Sequence, residues 1–83
     1  MTIDDFNQKW MSHLEEGHYG LDIYDENVIR YLDLEFSRLE KDFPFFTFSQ
    51  IKLKFGRSRV YMEPKQINTN RIEQKINEII DKK

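Results

Sequence analysis

The sequence predicts an α+β fold in which two or three amphipathic helices pack on one face of a small antiparallel or mixed β-sheet. Two kinds of periodicity support this prediction: segments with apolar residues at helical spacing, and a central segment of alternating apolar and polar residues. A glycine at position 56 marks a turn within the alternating segment. A chain of 83 residues has room for a single domain, residues 1–83, containing a β-hairpin over residues 46–63.

Composition restricts the classes of protein that the chain can belong to. Apolar residues make up 39% and aromatic residues 14%, which favours a packed core over disorder. The absence of cysteine excludes disulfides and thiolate metal sites. No apolar run approaches the length of a membrane span, and the acidic start does not resemble a secretory signal, so we expect a cytoplasmic protein. Abundant Asn, Lys and Ile suggest an AT-rich bacterial or phage genome.

The first helix is predicted over residues 2–16. Thr2 is a good N-cap, and Gly17 is suited to the left-handed conformation that ends many helices. One stripe of apolar residues follows helical spacing, comprising Ile3, Phe6, Trp10 and Leu14. This stripe should face the core.

Residues 25–42 carry the clearest helical pattern, which Pro44 brings to an end. A third helix begins near Asn68 or Asn70, both of which fit an N-cap. Residues 19–23 alternate in polarity and form a candidate third strand. The second helix would then be the crossover that brings this strand parallel to a strand of the hairpin.

Within the hairpin, the alternation slips in phase at Ser49–Gln50, which predicts a β-bulge. Gly56–Arg57 fits a two-residue type II′ turn with glycine at the first central position. This turn pairs Lys54 with Arg59 and places the apolar residues of both strands on one face. The other face should be open to water.

Charge divides unevenly along the chain. Residues 1–44 hold eleven acidic and four basic residues, a net charge of −7, whereas residues 45–83 hold nine basic and four acidic residues, a net charge of +5. The plain interpretation is that the two halves attract each other within one fold. The alternative is that the acidic half imitates nucleic-acid phosphates and occupies a basic groove on a target.

The open face of the hairpin is the candidate binding surface. Its members are four cations and one aromatic residue, namely Lys52, Lys54, Arg57, Arg59 and Tyr61. Cations beside an aromatic ring suit a nucleic-acid strand, and the same face suits a protein partner. The competing interpretation is a solvated face that discourages aggregation, or one whose cations pair with acids from the first half of the chain.

Four phenylalanines in the six residues 43–48 cannot all enter so small a core. Phe45 is the candidate interface anchor, for a partner or for a second copy of the chain. The interpretation that we favour is that Phe43 and Phe45 both lock the corner between the second helix and the hairpin.

Catalytic and metal-binding patterns are weak. His13 and His18 are five residues apart, with Glu15 and Glu16 between them, whereas helical zinc hydrolases need two histidines four residues apart. No glycine-rich phosphate loop is present, and we expect no cofactor.

By elimination, the sequence predicts a small non-enzymatic binding module or regulator that acts through protein–protein contacts. The alternative is nucleic-acid binding through the basic face of the hairpin. The identity of the partner and the oligomeric state have no signature in the sequence.

Overall fold

The computed structural model describes residues 1–18 and 20–82 of the chain. Within them, three helices and a three-stranded mixed sheet confirm the predicted α+β fold. The elements in chain order are α1 (Ile3–Lys9), β1 (Gly20–Asp22), α2 (Glu26–Asp42), β2 (Thr47–Lys54), β3 (Arg57–Glu63) and α3 (Thr69–Asp81). A single 3₁₀ turn, Met11–His13, follows α1.

The strands lie in the order β1-β2-β3. β1 runs parallel to β2, with Leu21 beside Ile51, and β2 runs antiparallel to β3. The candidate third strand is thus confirmed over Gly20–Asp22, and α2 is the connection between the two parallel strands. Tyr19, which the prediction also included, lies outside the described residues.

The first helix is shorter than predicted. Thr2 caps it as expected, in a capping box with Asp5, and the hydrogen bonds from the backbone N–H and side chain of Thr2 lower the pKa of Asp5. The helix ends at Lys9 rather than near residue 16. Tertiary contacts override the helical pattern here, because the Trp10 indole donates to Asp33 and Leu14 forms a parallel bridge with Phe48.

The second helix agrees with its predicted bounds, and the third begins where it was predicted to begin. The carboxylate of Asp25 accepts hydrogen bonds from the N–H groups of Asn27 and Val28 at the start of α2. Asn68 is the N-cap of α3, with its side-chain oxygen accepting from the N–H of Arg71. Of the two candidate caps, the structure therefore selects Asn68.

One core joins the helices to the inward face of the sheet. Its largest fully buried side chains are Phe6, Phe36, Phe46, Phe48, Leu32, Ile51, Ile72, Ile76 and Val28. Buried and exposed residues alternate strictly along β3, so the helices cover one face of the sheet and leave the other open.

The hairpin has the predicted bulge but a different turn. The register shifts between Phe48 and Ile51, as the phase slip indicated. The central turn residues are Phe55 and Gly56, both at positive φ, which is the type I′ arrangement. The predicted type II′ turn at Gly56–Arg57 is wrong, because Gly56 takes the second central position instead of the first.

The register consequently slides by two residues. Lys54 lies opposite Arg57 rather than Arg59, and Lys52 lies opposite Arg59. A slide of two residues preserves the face to which each side chain points, since the side-chain period of a strand is two. The predicted division into an inward and an open face is therefore unaffected.

Candidate binding face of the hairpin

The sheet presents one uncovered surface, which we call the open face. Its members are the five residues singled out in the sequence: Lys52, Lys54, Arg57, Arg59 and Tyr61. Lys52 is half-buried and the other four are exposed. Their strand neighbours Ile51, Ser58, Val60 and Met62 are buried on the helical side. The alternation of the two strands thus brings all five predicted residues onto a single surface.

The four cations of the open face form no ion pair with any residue that the structure describes. Among the described residues, the ion pairs within 4.0 Å lie elsewhere: Lys9–Asp33, His13–Glu40, Arg30–Glu26 and Arg38–Glu35. The observed register also places like charges directly opposite each other, Lys54 against Arg57 and Lys52 against Arg59. Like charges in this position destabilise a sheet. Among the described acids of the first half, none forms an ion pair within 4.0 Å with these four cations.

Carboxylates mark the rim of the open face. Asp22 lies beside Lys52 in the strand register, and Glu63 ends β3. Beyond Tyr61, a shallow pocket of about 470 Å³ includes Tyr61, Glu15, Glu63 and Lys65 in its lining. The face is therefore basic at its centre and towards the hairpin tip, and of mixed charge at its far end.

The tip of the hairpin carries an unusual residue. Phe55 has a φ of +55°, a conformation that Asn, Asp and Gly adopt far more readily than a bulky side chain. Its ring is 94% exposed and gains no packing in the core. Sequence reasoning missed Phe55 because the alternation of β2 extends through it. Gly56 could have indicated this turn. If glycine is placed at the second central position of a two-residue turn, the residue before it, Phe55, becomes the first.

Both outer edges of the sheet are closed by side chains. At β1, the Asn7 side chain accepts from the Leu21 N–H at 2.9 Å and donates to the Leu21 carbonyl at 3.2 Å. The positive φ and missing Cβ of Gly20 make this approach possible, since a Cβ there would lie 2.7 Å from the Asn7 side-chain oxygen.

The opposite edge is closed from α3. The Glu73 carboxylate accepts from the Val60 N–H at 2.8 Å, and the Asn77 side-chain oxygen accepts from the Ser58 N–H at 2.9 Å. Glu73 and Asn77 are four residues apart and so share one face of the helix. Side chains thereby occupy backbone groups that another chain would need in order to add a strand.

The aromatic corner before β2 differs from our favoured interpretation. Phe43 packs against the core, but Phe45 is 92% exposed, so the expectation that both lock the corner is wrong for Phe45. The turn explains the difference, because the Phe46 N–H donates to the Phe43 carbonyl and turns Phe45 outward. Phe45 precedes β2 and Phe55 follows it, so the two residues lie at opposite ends of an eight-residue strand, whose extended length is about 27 Å.

The two histidines are not brought together. His13 is buried, stacks on Phe46 at 4.0 Å, and donates from Nδ1 to the Phe46 carbonyl at 2.8 Å. Its Nε2 lies 2.8 Å from a Glu40 carboxylate oxygen, so both ring nitrogens have partners within the fold. His18 is exposed. In the described part of the chain, no group of three or more His, Asp or Glu side chains is placed to hold a metal ion.

One tyrosine of the helix α2, Tyr31, has a raised pKa. Burial raises the pKa of Tyr31 on α2, and the negative charge of Glu35 raises it further. Glu35 is itself buried and pairs with Arg38 at 3.1 Å. These contacts lie on α2 and outside the open face.

Among the helices that the structure describes, none is both long and apolar enough to cross a membrane. Comparison with known proteins gives no relative from which a function can be carried over: no family model matches the chain, and no curated protein or solved structure matches it either.

Proposed function

We propose that this chain is a small non-enzymatic binding module that acts through protein–protein contacts, with the open face as its contact surface and an acidic surface on the partner. The observation that carries the proposal is the set of four cations, none of which forms an ion pair within residues 1–18 and 20–82. Two like-charge pairs across β2 and β3 are unfavourable in the isolated fold, and an anionic partner would relieve them.

The closed edges favour docking on the face. Many small domains bind an extended peptide by adding it as a strand to an open edge. Here Asn7 occupies the edge of β1, and Glu73 with Asn77 occupies the edge of β3. A partner that leaves these edge side chains in place can bind the open face instead. Recognition there depends on the side chains of the face and not on backbone hydrogen bonds.

Nucleic-acid binding is the second candidate, and Tyr61 is the observation that favours it. Tyr61 is 61% exposed and lies on the same face as the cations. Single-stranded nucleic acids bind surfaces of this kind, with phosphates on the cations and a base stacked on the ring. Binding of this type weakens steeply as salt is added.

Two variants that lose the same number of positive charges distinguish binding at the open face from unspecific electrostatic attraction of acidic molecules to the protein. The hairpin variant is Lys52→Gln/Lys54→Gln/Arg57→Gln/Arg59→Gln. The helix variant removes four exposed cations outside the sheet, as Lys41→Gln/Arg71→Gln/Lys75→Gln/Lys82→Gln. Immobilised wild type and both variants are incubated with a cell extract, with and without nuclease, and retained proteins are quantified by mass spectrometry.

We expect wild type and the helix variant to retain the same proteins after nuclease treatment, and the hairpin variant to lose them. Equal retention by the two variants would contradict the proposed contact surface. Retention that nuclease abolishes would support the nucleic-acid candidate instead.

A further inference from the structure

The tip of the hairpin combines three features that do not favour the isolated fold. Phe55 has a left-handed backbone conformation that suits Asn or Gly, and its large ring is almost wholly exposed. Lys54 and Arg57 face each other immediately beside it. Unfavourable backbone conformations are concentrated at functional sites in proteins, so these features indicate that the tip carries a contact residue.

The surroundings of Phe55 define what it can contact. The Lys54 ammonium lies 5.8 Å from the centre of the Phe55 ring, and Arg57 follows the turn. Leu53 is 39% exposed behind the tip. The tip therefore offers an apolar ring with cations around it. Its complement is an apolar side chain with carboxylates around it.

We propose that Phe55 is the anchor of the protein-binding surface and that the partner presents an acidic segment with an apolar side chain between its carboxylates. This inference rests on the proposed function and adds to it the residue that inserts and the chemistry that receives it. A few anchor residues, aromatic ones among them, supply most of the affinity in many interfaces. Phe45 has similar exposure but lies at the other end of β2, away from the four cations.

The charges around the open face favour a peptide over a phosphate backbone. Asp22 lies beside Lys52, and Glu15 and Glu63 line the pocket next to Tyr61. A nucleic-acid strand that stacks on Tyr61 while crossing the cations would bring phosphates close to these carboxylates. An acidic segment centred on the tip contacts Lys54, Arg57 and Phe55, at the end of the open face away from Glu15 and Glu63.

The test uses two defined fluorescein-labelled peptides of twelve residues, rich in glutamate and identical except for a central leucine or alanine. Fluorescence anisotropy at low salt gives their affinities for wild type, Phe55→Asn, Phe45→Asn and the hairpin variant. Phe55→Asn places a favourable turn residue at the tip, so its urea midpoint should equal or exceed that of wild type. Lost binding then reflects the missing ring and not unfolding.

We expect wild type to bind the leucine peptide about tenfold more tightly than the alanine peptide, and Phe55→Asn to remove this preference. Phe45→Asn should keep it, as the matched control. If the hairpin variant loses binding while Phe55→Asn keeps the full leucine preference, the result supports the open face as the contact surface and contradicts Phe55 as its anchor. If the hairpin variant binds both peptides like wild type, the proposed contact surface itself fails. Tighter binding of a twelve-residue oligothymidylate that depends on Phe55 would overturn the protein partner in favour of a nucleic acid.

Discussion

Replacing Phe36 by alanine is expected to lower the free energy of unfolding by about 3–5 kcal/mol. The Phe36 ring is fully buried, and the rings of Phe6, Trp10, Phe46 and Phe48 surround it at centroid distances of 5.0–5.5 Å. The substitution removes these contacts and leaves a cavity that so rigid a cluster fills poorly. A domain of this length has a total stability of about 4–12 kcal/mol, so the substitution should remove about a quarter of it or more.

Urea unfolding followed by circular dichroism measures this effect. Leu34→Ala is the matched control, because Leu34 is on the same helix but 66% exposed, and its loss should change stability by no more than about 0.5 kcal/mol. Similar effects of the two substitutions would contradict the central position of Phe36 in the core.

The double substitution Glu73→Ala/Asn77→Ala is expected to cost about 2–4 kcal/mol and to promote self-association. It leaves the N–H groups of Ser58 and Val60 without their acceptors at the outer edge of β3. Unpaired groups along an edge strand can then pair with the edge of another molecule.

Urea unfolding and light scattering after size-exclusion chromatography measure the two effects of opening this edge. Glu73→Gln should retain most of the stability, because the amide oxygen can still accept from Val60. Glu78→Ala removes an exposed carboxylate from the same helix and serves as the control. A double variant as stable and as monomeric as wild type would show that the edge needs no closure.

Local patterns were sufficient to predict the parts of the fold that depend on local chemistry. The bounds of α2 follow from its apolar spacing, its N-cap Asp25 and the proline after it. The bulge before Ile51 follows from the phase of the alternation. The open face was also predictable, because the two-residue error in register left the parity of every strand position unchanged.

Features that depend on residues far apart in the chain were not predictable. The first helix ends early because Trp10 and Leu14 have partners on α2 and β2. The closed edges arise from Asn7 meeting Leu21 and from Glu73 meeting Val60, pairs with no local signature. The exposure of Phe55 was not predicted, because the apolar–polar alternation of β2 continues through position 55 and does not distinguish a turn residue from a strand residue.

The stability of the hairpin variant at low ionic strength tests most directly whether the cations of the open face are free for a partner. Because they face like charges and form no ion pair in the described part of the chain, we expect their removal to leave the free energy of unfolding unchanged or to raise it by up to about 1 kcal/mol. The helix variant, measured by the same urea titration, controls for the change in net charge. A loss of more than about 1 kcal/mol of stability in the hairpin variant alone would show that these cations stabilise the fold, and would contradict a binding face whose cations are free for a partner.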